Sequence, residues 1–215
     1  SVCVVNEGGY DSLYLCVRRT IDGNEVHYIE RIRLLPRPAT IADGFFVDAG
    51  VTVTNGGGSP QTTITGLEHL ANTPVAGLVD GGVQRGRVIS GAGVLTLAPA
   101  LQPGKTAHVG LPMAARGKTL PAAFQVDAAL GQSRTKNVTR AALKLLRSAR
   151  LKVGPDDARL RPTNEIADGA LHDGFVRVLA EGHWSDGGQI VFQQEDPLPL
   201  TVAAAVLEVA FGGSA

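Results

Sequence analysis

Short runs of β-branched, aliphatic and aromatic residues recur along the whole chain, and glycine-bearing turns separate them. Residues 13–20 (LYLCVRRT) and 25–34 (EVHYIERIRL) flank Asp22-Gly23-Asn24. An Asp-Gly pair supplies positive φ at little steric cost, so this segment is predicted to be a β-hairpin. In its second strand Val26, Tyr28 and Glu30 alternate with His27, Ile29 and Arg31. Neither face is purely apolar, which predicts a sheet covered only in part by another layer or subunit. Pro36 and Pro38 then interrupt the pattern, residues 44–53 (GFFVDAGVTV) read as a further strand, and 55–60 (NGGGSP) read as a flexible connector and domain boundary.

From residue 61 to about 121 charges thin out and short strands follow one another closely: 62–64, 74–80, 84–89, 94–97 and 106–111, with Gly81-Gly82 and Ser90-Gly91 at the turns. Closely spaced short strands with glycine turns predict a small barrel or sandwich. Residues 66–70 (GLEHL) fit a single helical turn. Further on, 124–129 is apolar, 174–179, 189–193 and 200–211 read as three more strands, and Gly154-Pro155-Asp156 marks a turn. Residues 138–146 (VTRAALKLL) fit both a helical face and a strand, and periodicity does not choose between them. Strands do not alternate with long amphipathic helices, which argues against a parallel α/β fold. The expected class is all-β.

Twenty basic residues balance twenty acidic ones, so no global field draws the chain to nucleic acid or anionic lipid. The longest apolar stretch, 200–207, is far shorter than the roughly 18 residues of a membrane helix and contains Thr201. The first residues lack the pattern of a signal peptide. The chain opens directly into a strand-like run, which leads us to expect a piece of a longer protein. Cys3 and Cys16 would approach each other across a hairpin, but two cysteines are not a disulfide framework, and reduced thiols are expected.

Motifs for catalysis are sparse. The five histidines His27, His69, His108, His172 and His183 show no i, i+4 pair on a plausible helix, and no Cys-x-x-Cys occurs, so no zinc ligand set is assigned. His108 is expected on a strand, hydrogen-bonded locally. Ser90, near Gly91 and Gly93, lacks the glycine two positions before it that a nucleophile elbow needs. No phosphate-binding glycine loop is present. Glu30, Asp48, Asp80 and Glu195 are strand-end carboxylates of the kind a glycosidase pairs, and are read as solvated edge charges. Asn137-Val138-Thr139 has the form of a glycosylation acceptor, which carries meaning only in a secreted chain. No catalytic residue, cofactor or metal is therefore expected, and the protein is read as non-enzymatic.

The main charged feature is a run of bases with no intervening acid: Arg134, Lys136, Arg140, Lys144, Arg147, Arg150 and Lys152. On a strand these would make much of one side positive, suited to sequence-independent phosphate contact along a nucleic-acid path. The alternative is a solvated face balanced by Asp156, Asp157 and Glu165. No aromatic residues interleave for base stacking.

Six segments, in order, resemble the phage tail nozzle proteins, also called tail tubular protein B or packaged-DNA stabilisation protein. They are 11–32 (DSLYLCVRRTIDGNEVHYIERI), 45–53 (FFVDAGVTV), 62–83 (TTITGLEHLANTPVAGLVDGGV), 108–112 (HVGLP), 151–156 (LKVGPD) and 194–209 (QEDPLPLTVAAAVLEV). The resemblance implies a C-terminal portion of a larger polypeptide of the virion tail, assembled in the host cytoplasm. It implies copies in a six-fold ring between an adaptor and the tail tip, retaining and then conducting the packaged genome. It brings no catalytic residue, and it tilts 138–146 toward strand. The expected architecture is an antiparallel β-sandwich of residues 1–60 and 122–215 with an inserted small β-barrel module, 61–121. The alternative function is a receptor- or carbohydrate-binding tail module using Trp184 with His183 and Asp186 as a stacking platform. A hydrolase acting on cell-surface polymer is a third reading.

Overall fold

A computed structural model of the chain describes residues 1–32, 38–123, 125–126, 129–130, 134–179 and 183–212. Nearly all its regular structure is antiparallel β, and only isolated 3-10 turns are helical. The chain divides into two units, Ser1–Met113 and Ala114–Ala215.

In the first unit, β1 (Val2–Asn6), β2 (Asp11–Ile21) and β3 (Asn24–Ile32) form a three-stranded sheet in that order. The predicted hairpin turn is there, with Asp22 at φ 49° and Gly23 at φ 75°, the two positive angles that a type I′ turn requires. After a 3-10 turn at Ile41–Asp43 come β4 (Asp48–Thr54), β5 (Gln61–Ile64), β6 (Pro74–Val79), β7 (Gly82–Val88), β8 (Leu95–Leu101) and β9 (Thr106–Leu111). The expected helical turn appears as a 3-10 turn at Glu68–Leu70. The strand expected over 44–53 begins only at Asp48, downstream of a tight turn in which Asp43 accepts hydrogen bonds from the Thr40 N–H and hydroxyl.

These strands make a four-stranded sheet in the order β4-β9-β6-β7 and a β5-β8 pair. The four-stranded sheet is open, with β4 and β7 at its ends, so the described strands of 61–111 do not close the barrel expected for this stretch. Gly110 permits the close β4–β9 approach: a Cβ there would stand 2.6 Å from the Asp48 carbonyl oxygen and 2.7 Å from the Gly50 Cα. Ile64, Leu67, Leu70, Ile89, Leu101 and Val109 fill the core, with Val26 and Tyr28 of the hairpin packed against it.

The second unit contains β10 (Ala115–Lys118), β11 (Gln125–Val126), β12 (Ala129–Leu130), β13 (Lys136–Ser148), β14 (Lys152–Gly154), β15 (Arg161–Pro162), β16 (His172–Leu179), β17 (Trp184–Ser185), β18 (Val191–Gln194) and β19 (Val202–Phe211). One sheet runs β10-β18-β14-β15. In the other, β13 is central: β16 and then β17 pair along one side of it, and β19 along the other. Residues 138–146 are therefore strand. Hydrogen bonding on both sides of β13 overrides the helical propensity of its alanines and leucines. Val138, Ala141, Leu143 and Leu145 point into a core shared with Leu151, Val153, Ile166, Val176 and Ile190. Gly117, opposite Phe192, leaves the space that the Phe192 ring occupies. Of the run expected over 124–129, residues 125–126 and 129 lie in the β11–β12 pair, and residues 124, 127 and 128 lie outside the described residues.

All described strand pairings fall within one unit or the other. This corrects the expected division at 60 and 122, in which strands of 1–60 paired with strands of 122–215. β4 instead pairs with β9, Val51 to Thr54 against Val109 to Thr106. The 55–60 connector is consequently a loop inside the first unit. Buried Asn55 holds it by donating to the carbonyls of Ser59 (2.9 Å) and Leu101 (2.8 Å).

Candidate functional site

The seven bases of the predicted stretch do not form one positive face. β13 alternates in and out, and an irregularity opposite β19 between Val138 and Arg140 shifts the alternation partway along. Lys136 falls on the inner side and is only 1% exposed, with Nζ donating to the carbonyls of Asp186 (2.9 Å) and Arg134 (3.2 Å). Arg147 adopts φ 41°, and its N–H donates to the Asp173 carboxylate at 2.8 Å. Beyond the strand, Arg150 bridges Asp168 at 2.9 Å, and Lys152 bridges Glu195 at 2.5 Å.

Arg140 and Lys144 do reach the outer face. Arg140 stands 3.6 Å from Glu208, and Lys144 lies over the Phe175 ring, 6.0 Å from its centroid. Arg177 shares this face, because it pairs with Ala142 in the β13–β16 register. What sequence order spreads over nineteen positions is thus, on the sheet, a smaller group of Arg140, Lys144 and Arg177. Sequence spacing could not supply Arg177, since only strand pairing brings it there.

Beside this group is a groove of about 730 Å³ lined by Arg140, Arg161, Arg177, Glu165 and Glu208, with Ala142 and Val206 among its apolar walls. Glu165 accepts the Arg177 backbone N–H at 3.1 Å. Three guanidinium groups and two carboxylates therefore line the groove, and their charges largely cancel.

The other candidates are mostly tied into structure. Glu30 and Asp48 converge on Arg19, which donates from Nε (2.6 Å) and Nη2 (2.7 Å) to Glu30 and from Nη2 (2.7 Å) to Asp48. The hydrogen bonds it donates to Glu30, then to Asp48, hold the guanidinium well above its ordinary pKa. Two carboxylates locked onto one cation form a clamp between β2, β3 and β4 and are not arranged as a general acid and base. Asp80 bridges Lys105 at 3.2 Å. His108, on β9, meets the Thr52 hydroxyl with Nδ1 (2.9 Å) and the Ala42 carbonyl with Nε2 (3.0 Å), a local role as expected. Ser90 caps its own turn, its hydroxyl accepting the Val94 N–H. Cys3 and Cys16 are both free and exposed. Among the described residues no group of three or more His, Cys, Asp or Glu side chains is placed to hold a metal, and no helix is long and apolar enough to cross a membrane.

The proposed stacking platform is only partly assembled. Trp184 is half exposed on β17, whereas the His183 N–H donates to Asn137 and its ring lies 3.9 Å from the Asp156 carboxylate.

The clearest surface signal is apolar. Val2, Val4, Val5, Ile29 and Ile32 in the three-stranded sheet and Tyr10 in its β1–β2 turn are exposed, as are Phe175 and Val206 in the second unit. Comparison with protein-family models and with curated protein sequences finds no match for this chain.

Proposed function

We propose that the chain is a structural module of a phage tail nozzle, whose copies assemble in a ring that retains and conducts the packaged genome. The observation that carries this reading is apolar exposure on sheet edges. β1 is exposed at every position, and β19 at four consecutive positions, Ala203 to Val206. Isolated folded domains guard such edges with charge, proline or irregular geometry, because unpaired strands recruit other chains. Surface left open in one copy is closed by the next copy in a symmetric assembly. The six sequence segments that resemble nozzle proteins add the biological setting. Native mass spectrometry and negative-stain images of the purified chain are expected to show closed rings. A monomer at all concentrations would remove the reading.

Contact with the genome in such a ring would fall to Arg140, Lys144 and Arg177 on the outer face of β13 and β16, through sequence-independent phosphate pairing. DNA retention on a filter should then decline steeply as salt rises, and the triple alanine variant should retain markedly less DNA than wild type at every salt concentration.

A second reading, glycan or receptor binding, rests on the half-exposed Trp184 indole. It would be supported by glycan-array signals that Trp184→Ala abolishes, and removed by a blank array.

A further inference from the structure

The geometry points to a specific contact behind that assembly: β1 of one copy adds antiparallel to the free edge of β19 in the next. This inference rests on the assembly reading above and names the strands that would carry it. Among the described residues β1 pairs only with β2, and β19 only with β13, so each strand keeps one unpaired side. The two segments have complementary features. Val2 to Val5 carry no charge and no proline, and all four are exposed. Ala203 to Val206 are likewise uncharged, proline-free and exposed.

Their side chains match in size. Antiparallel pairing with Val2 opposite Val206 sets Cys3 against Ala205, Val4 against Ala204 and Val5 against Ala203. Cys3, Val4 and Val5 of β1 then each meet an alanine and Val2 meets Val206, so three of the four facing pairs set a larger side chain against a small one. Pairing β1 with a second β1 would set bulky residues against bulky ones.

Charge selects the direction. Glu7 follows β1, and Glu208 lies near the end of β19. A parallel pairing of the same segments, Val2 beside Ala203, brings Glu7 beside Glu208, and like charges at neighbouring sheet positions are destabilising. In the antiparallel register Glu7 falls opposite Thr201, seven residues from Glu208. That separation is about 23 Å at strand rise and exceeds the Debye length of about 8 Å at physiological salt. Because β1 and β19 are different surfaces of one chain, their contact is head-to-tail. It closes into a ring where the rotation permits and otherwise grows as a filament.

The test is charge exchange at one facing pair, read by native mass spectrometry and analytical ultracentrifugation, with circular dichroism confirming the β fold of each variant. Val4→Lys and Ala204→Lys should each raise the concentration for half-assembly about tenfold, as expected when a lysine guards a strand edge. The double variant Val4→Lys/Ala204→Glu should restore assembly, and Val4→Lys/Ala204→Lys should not. Should wild type assemble while neither single variant shifts the midpoint, the β1–β19 contact is overturned and the assembly reading stands. An effect of Ala204→Lys alone would overturn it in favour of β19 pairing with another β19 or a different protein. Wild type that stays monomeric throughout would overturn the assembly reading, and this contact with it.

Discussion

β13 and β19 lie side by side, paired from Lys136–Phe211 to Leu145–Val202, yet solvent treats them in opposite ways. β13 holds four bases among thirteen residues and buries six of its side chains, Lys136 included. β19 holds one charge, Glu208, among ten residues and exposes five. Composition alone would reverse this ranking. The difference comes from position: β13 has hydrogen-bonded neighbours on both sides, while among the described residues β19 has one on a single side. A central strand buries its inward-facing side chains even where the sequence supplies a lysine, provided the charged tip finds carbonyl partners. An edge strand stays exposed however apolar it is, until something pairs with it.

The sharpest way to break this comparison is to remove equivalent bulk from both strands. Leu143 on β13 is fully buried, whereas Val206 on β19 is 58% exposed. Leu143→Ala should cost about 3 kcal/mol of unfolding free energy, the transfer term plus the cavity left behind. Val206→Ala should stay within about 0.5 kcal/mol. Urea denaturation of both variants, at concentrations where wild type is monomeric, measures the gap. Equal losses would mean that β19 is as buried as β13.

A second contrast, of smaller expected size, sets one lysine against another on the same strand. Lys136→Ala should cost about 2 kcal/mol, because it removes a packed stem and leaves the Arg134 and Asp186 carbonyls short of a donor. Lys144→Ala, on the outer face, should change stability by less than about 0.5 kcal/mol. Thermal unfolding of the two variants distinguishes them, and a neutral Lys136→Ala would show that the buried ammonium is dispensable.

These strands also show what the sequence could disclose. Asp22-Gly23 fixes a turn through local backbone chemistry, so the β2–β3 hairpin was legible without knowledge of any distant residue. The all-β class was legible for the same reason, since turn residues and β-branched runs act over a few positions. The fate of the 134–152 bases was not. Whether Lys136 faces core or solvent depends on a register irregularity between Val138 and Arg140, and on Asp186, fifty positions away. The domain boundary failed likewise. Residues 55–60 look like a linker by composition, but the Asn55 side chain and the β4–β9 pairing make them a loop within one unit. VAAAVLEV reads as a buried strand by hydropathy, and only the strand order of its sheet reveals an edge.

The smallest effect concerns the other exposed strand, β1, and what steadies it without burial. Glu7, just past its end, accepts hydrogen bonds from Tyr14 and from Ser12 (2.7 Å), and bridges Arg31 at 2.7 Å, joining the β1–β2 turn to β3. The Tyr14 and Ser12 hydrogen bonds hold its carboxyl below the ordinary value of 4.5. A lowered folded-state pKa means that the folded form binds the proton more weakly than the unfolded form. The contribution is therefore complete above the unfolded value and fades as pH falls through the lower folded one. Amide exchange in β1 should be slightly faster in Glu7→Gln than in wild type at neutral pH, with the two converging in acid below pH 4.5. Protection that differs equally at all pH values would show that Glu7 acts on this edge through shape and not through charge.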